Sequence, residues 1–223
     1  MPPITLSPDS IDDLIYDARA GDVQALQEDL SQLSVQHSVP QSVIIASAID
    51  AAPEEEGGSG SCLLHFPAAN GNTEILTHLL TILLSARSSS ELSEQDVQAV
   101  LNHRNHSGNT ALHWAALNTH LECVKALVEA GADVSIKNEA GLDAVFLAER
   151  ADWGTQEGEG QEEGAEEVEM EIGGEGKDEG GDKAKAGAGP VTKARQVVEW
   201  LLASEKGGEE GSAAGEGEKE EGK

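Results

Sequence analysis

Apolar residues in this chain recur in paired helical blocks, and residues 105–137 set the pattern for the rest. Leu112, Ala115 and Ala116 predict a short helix with a small, close-packing face. Leu121, Val124, Leu127 and Val128 recur at the three- and four-residue spacing of a second, amphipathic helix. Ser107-Gly108 before the pair is a turn signal. Thr110 is placed to cap the first helix through its hydroxyl, and Gly131 to end the second in the left-handed conformation. The block then starts again. Gly108 and Gly141, Leu112 and Val145, and Ala115 and Ala148 each stand thirty-three positions apart. A period of that length marks a stacked helical repeat.

The same pattern extends in both directions. Residues 1–9 read as a disordered leader. Ile11, Leu14, Ile15 and Ala18 give one helix face, Gly21-Asp22 a turn, and Val23, Leu26, Leu30 and Leu33 a second helix. The A-R-A-G-D step at 18–22 superposes on Ala116 to His120, so this is a degenerate first repeat with a charged outer face, as a terminal cap requires. Ser42 to Ile49 reads as a short added helix, and Pro53 to Gly60 as a loop. Cys62 to Gly71 repeats the central block forty-eight positions earlier, which implies an inserted stretch of about fifteen residues. Ile75, Leu76, Leu79, Leu80, Leu83 and Leu84 prolong the helix before it. Ser85 to Glu91 reads as loop, and Val97 to Leu101 as one more apolar turn. Pro67 stands where the block carries Ala and is expected to cost a hydrogen bond and a bend.

The last repeat is split. Its first helix is predicted from Asp143 to about Arg150. Residues 154–189 then alternate Glu with Gly and offer too little apolar surface to offset the entropy of ordering, so they read as a disordered insertion. Over 190–204 the helical spacing resumes through Val191, Ala194, Val197, Val198, Leu201 and Leu202, with Trp200 alongside, and this closing helix is expected to bury Val198, Leu201 and Leu202. Residues 205–223 are a second acidic tail. The turn-helix-turn-helix unit, with T-x-L-H-x-A-A at Thr110 to Ala116, resembles an ankyrin repeat. The resemblance implies an all-α ankyrin-repeat solenoid of about four repeats over 10–153, completed by the 190–204 helix and carrying the disordered acidic insertion and tail.

Charge narrows the function. With 42 acidic and 14 basic residues the net charge is −28. So acidic a chain is expected to bind neither bare nucleic acid nor an anionic membrane surface, and its field attracts basic partners. Asp12, Asp13, Asp17 and Arg19 fall where a signal segment would be apolar, so a cytoplasmic and nuclear location is expected. Two cysteines, Cys62 and Cys123, are too few for a disulfide framework and fit inert core positions.

The candidate chemistry is sparse. His65 and His113 occupy the His of the repeat motif, where imidazole bonds neighbouring turns and packs the stack. His103, Arg104 and His106 lack a second ligand pair at a metal-binding spacing. No nucleophile elbow, phosphate loop or paired-cysteine motif is present, so no enzymatic activity and no cofactor are expected. Binding remains. In a helical solenoid the first helices and turn tips line a concave face. The variable positions that fall there are Asn70, His106, Asn109, Leu117, Asn118, Glu139, Leu142 and Arg150, with Asp152 and Trp153 extending the surface, Trp153 as an aromatic anchor.

Three segments, Y-D-A-R-A-G-D at Tyr16 to Asp22, N-x-x-G-N-T-A-L-H-W-A at Asn105 to Ala115, and G-x-D-A-x-F-x-A-E at Gly141 to Glu149, together resemble one fungal family. It is the ankyrin-repeat chaperones dedicated to small-subunit ribosomal protein S-three. The Glu/Gly insertion departs from that family's pattern. The resemblance implies a chaperone that holds a newly made basic ribosomal protein until it joins the assembling small subunit, and leaves room for a nuclear import factor in the same complex. Two other readings stay open: an ankyrin adaptor in signalling or transcription, and a general acidic chaperone in which the acidic tracts bind.

Overall fold

The computed structural model describes residues 4–158 and 192–209, with backbone alone over 152–158 and 205–209. Helices α1 (Pro8–Ala20) and α2 (Val23–His37) form the first pair, followed by α3 (Gln41–Ser47). α4 (His65–Asn70) and α5 (Thr73–Ser89) form the second, followed by α6 (Glu94–Leu101). α7 (Ala111–Leu117) with α8 (Leu121–Glu129), and α9 (Ala144–Gly158) with α10 (Lys193–Glu209), complete the described array. First helices α1, α4, α7 and α9 pack successively on one another in one layer. The second layer runs α2, α3, α5, α8, α10, with α3 touching both α2 and α5. Leu14, Leu26, Ile45, Leu64, Leu76 and Leu79 are fully buried between the layers. This is the four-repeat ankyrin solenoid that the resemblance implies.

Local chemistry fixes each repeat. Thr110 Oγ1 accepts the His113 amide while His113 Nδ1 accepts the Thr110 amide at 3.2 Å, a reciprocal cap that satisfies two donors at the start of α7. Asn105 and Asn138, one period apart, close equivalent turns: each Oδ1 accepts the amide four residues on, at 2.9 and 3.1 Å. The glycines ending those turns, Gly108 and Gly141, have φ of +74° and +76°. At Gly108 a Cβ would also meet the Glu139 backbone nitrogen at 2.7 Å, so no larger residue fits there. Gly131 follows α8 at φ +103°, and the Gly131 and Ala132 amides donate to Val128 and Leu127 carbonyls, the two bonds of a left-handed C-cap.

Several expectations are corrected. The leader over 1–9 is tied down where it is described: Leu6 is buried, the Ile4 amide donates to Ser47 Oγ, and Ser7 caps an α1 that opens at Pro8. Ser85 to Ser89 is helix, since α5 runs on until Ser90 turns left-handed. Tertiary burial of Ala86 overrides the local loop preference of the serines, and the Ser85 hydroxyl bonds back to the Thr81 carbonyl. Pro67 costs no helical bond. α4 opens only at His65, so Pro67 is its third residue, where an amide has no acceptor within the helix. α9 continues to Gly158 rather than stopping near Arg150, taking up the first residues of the 154–189 insertion. The rest of that insertion, like Val191 and most of the tail, lies outside the described residues. α10 runs Lys193–Glu209, offset from the expected 190–204, and buries Ala194, Val197 and Leu201, whereas Leu202 is 42% exposed.

Asp17 is an anomaly. It takes the register of buried Ala115 and Pro67 in the later first helices, and its Oδ2 is buried without a hydrogen-bond partner. Burial first, then the nearby carboxylates of Asp29, Asp22 and Asp13, push its pKa from 3.8 up to about 6. The folded chain therefore binds this proton more tightly than the unfolded chain. The resulting stability is present below about 4 and is lost as pH rises through about 6. Asp17→Asn should raise unfolding stability by about 1–3 kcal/mol at pH 7.5. The gain should shrink to near zero by pH 4, in denaturant titrations run on both proteins.

Candidate functional site

Hydrogen bonds between successive turns hold one face of the stack rigid. His65 Nε2–H donates to the Asn109 carbonyl at 2.9 Å, and His113 Nε2–H to the Leu142 carbonyl at 3.1 Å. The other ring nitrogens accept, from the Cys62 thiol at 3.2 Å and from the Thr110 amide, so both tautomers are fixed. Burial holds both imidazoles below their usual pKa, and they remain neutral. Burial likewise pushes the Cys62 thiol up to about 12, an inert core group. At the tips, the His106 amide donates to the Ser59 carbonyl and the Glu139 amide to the Ser107 carbonyl, both near 3 Å. These turns form a backbone-bonded row.

Beside that row lies a cavity of about 720 Å³. Its floor is α1, α4 and α7, contributing Asp12, Tyr16 and Arg19, then Phe66 and Asn70, then Trp114. Its wall is the loop through Asp50, Glu56 and Ser59, with Asn105 at the next tip. Tyr16, Phe66 and Trp114 each stand five residues before a left-handed turn residue: Gly21, Gly71 and Thr119. They are the same position of three consecutive repeats and make one aromatic row along the floor. Tyr16 is 72% exposed, and Phe66 and Trp114 are half-buried. The Arg19 guanidinium lies 5.1 Å from the centroid of the Phe66 ring. The wall is acidic. Burial works against the Asp50 carboxylate, but bonds from the Ser59 amide and hydroxyl, helped by Ala52 and His106, outweigh it and hold the pKa below the usual range.

The residues predicted for the concave face do not form one cluster. Asn70 lines the cavity, but its Nδ2 is engaged with the Arg19 carbonyl at 3.0 Å. Asn118 makes the matching bond to the Ala69 carbonyl at 2.7 Å, so both asparagines tie a first helix to the one before it. Asn109 is also committed, since its Oδ1 accepts from Asn138 at 2.8 Å. His106 lies exposed at a turn tip, and Glu139 at the next tip pairs with Arg104 at 2.9 Å. Leu142 is half-buried at the turn before α9, Leu117 half-buried at the end of α7, and Arg150 exposed on α9. Asp152 and Trp153 fall on α9, where only the backbone is described. The aromatic row escaped the sequence reading, although its signal was there: three aromatics in register against three turn residues, in a chain with only six aromatics.

Comparison with known proteins agrees with the fold. The family described as ankyrin repeats (3 copies) matches residues 44–138. Ankyrin repeat-containing protein YAR1 of Saccharomyces cerevisiae is 34% identical over 141 residues, 63% of this chain and 62% of YAR1. Synphilin-1 of Mus musculus is 33% identical over 88 residues, 40% of this chain and 8% of that protein. A solved structure, described as the crystal structure of the yeast ribosomal protein Rps3 in complex with its chaperone Yar1, matches with a TM-score of 0.54 and 32% identity. The match covers 74% of this chain and 100% of the matched chain. The chain spans somewhat less than two thirds of the length of YAR1.

Proposed function

We propose, from the premise that this chain belongs to the family of ankyrin-repeat proteins that includes yeast YAR1, that it is a dedicated chaperone of a basic ribosomal protein, small-subunit protein S-three. The observation that carries the proposal is the acidic, aromatic-floored groove. Ionised Asp50, with Asp12 and Glu56, complements a cationic client, and the Tyr16–Phe66–Trp114 row offers apolar area that a free, newly made client would otherwise expose to aggregation. Binding is stoichiometric and involves no bond-making step. Exposed Glu139 and Arg150 and half-buried Leu142, with Asp152 and Trp153 following on α9, extend the contact from the groove towards the last repeat. Holding and release span cytoplasm and nucleus, which leaves room for a nuclear import factor in the same complex.

Capture of the tagged chain from cell extract at moderate salt, with identification of the stoichiometric partner, tests this directly. A single basic small-subunit protein is expected, and recovery of kinases or transcription factors instead would favour an adaptor. With purified client, association should slow sharply as salt rises past about 0.1 M, where the screening length is roughly 10 Å. Dissociation should change far less, because it is governed by short-range groove contacts. An association rate indifferent to salt would remove steering as the role of the −28 charge.

A further inference from the structure

We infer that the aromatic row is an arginine-reading slot, and that Arg19 is its resident occupant, which an incoming guanidinium must displace. The inference rests on the chaperone reading of the groove and specifies which client side chains it takes. Among the described residues Arg19 is the one cationic residue lining a cavity that also holds Asp12, Asp50 and Glu56. Among the described residues its guanidinium forms no ion pair, although carboxylates line the same cavity; it lies instead over the face of Phe66. A planar guanidinium stacks on a ring face as a compact, strongly hydrated ammonium does not, so the geometry favours Arg over Lys. Phe66 is the middle ring of three at equivalent register, and among the described residues Tyr16 and Trp114 on either side carry no such cap. First helices of adjacent repeats pack roughly 8–10 Å apart, and a polyproline-type chain advances roughly 9 Å in three residues while returning to the same face. A segment with arginine at every third residue therefore meets successive rings. Arg19 keeps the central ring and the local charge satisfied while the groove is empty, and sets a threshold that singly basic segments do not cross.

The test uses a fluorescein-labelled synthetic peptide with arginine at every third position among Gly and Ser, and the same peptide with lysine, titrated into the full chain by anisotropy. Arg19→Met, which keeps the stem and removes the charge and plane, is expected to tighten the arginine peptide about fivefold or more. Phe66→Leu, which keeps bulk and removes the ring, is expected to weaken it about tenfold, with circular dichroism unchanged. The lysine peptide should bind more weakly than the arginine peptide. Both variants within twofold of the parent chain would overturn the slot. An Arg19→Met gain without a Phe66→Leu loss would also overturn it, since relief of charge alone would then suffice. Purified ribosomal protein S-three is measured with the same samples. If the parent chain binds that protein while the peptide responses are flat, the slot falls and the chaperone reading stands. If the peptide responses hold but the protein is not bound, the slot stands and the client assignment falls.

Discussion

Replacing Tyr16 and Trp114 together by lysine lowers affinity for the basic client by about a thousandfold or more while leaving the helical signal intact. Buried aromatic anchors at interface centres cost about 2 kcal/mol or more each on truncation. Two of them correspond to roughly a thousandfold in dissociation constant. The two added cations then repel a cationic client inside a groove whose attraction comes from Asp12, Asp50 and Glu56. The fold tolerates the change because neither residue belongs to the buried core cluster or to the partly buried groups packed on it. Isothermal titration of the client into parent and double-variant chains, with thermal unfolding of each as the control, reads both parts of the claim.

A cut in the segment that joins α9 to α10 leaves the two pieces together. With a specific protease site engineered between Gly173 and Gly174, the fragments should co-elute as one species under native conditions. α10 packs on α9, α8 and α7, and Val197 and Leu201 are fully buried there. Leu201→Asp should separate them, because an unpaired carboxylate in that site costs several kcal/mol against a domain stability of about 5–15 kcal/mol. Separation of the unmutated fragments would mean that α10 does not complete the last repeat.

Most of the fold was legible because ankyrin repeats write their packing into short-range sequence. The thirty-three-residue register of Gly108 with Gly141 was readable, whereas its cause, a turn closed by Asn105 and Asn138, comes from the structure. The errors fell where contacts distant in sequence decide the outcome. Ser85 to Ser89 carries no helical signal of its own and is held in helix by burial of Ala86. Leu6 is held in the core from a leader with no helical periodicity. The site was less legible than the fold. Asn70, Asn109 and Asn118 lie at variable positions that suggest free side chains, but each is committed to a neighbouring repeat, Asn70 and Asn118 as donors and Asn109 as acceptor. Nothing within a single repeat reveals that. The aromatic row becomes visible only when repeats of unequal length are aligned on their turns, because the spacing from Tyr16 to Phe66 to Trp114 is not constant.

The central claim is that the folded groove, not the acidic tracts, holds the client. Client binding and suppression of client aggregation should be measured side by side for the Tyr16→Lys, Trp114→Lys chain and for a chain in which residues 160–190 are replaced by a short Gly/Ser linker. The groove account predicts that the first neither binds nor protects, and that the second does both with only a slower association. Loss of binding in the linker chain, with binding and protection retained in the groove variant, would contradict it and make the acidic tract the binding element.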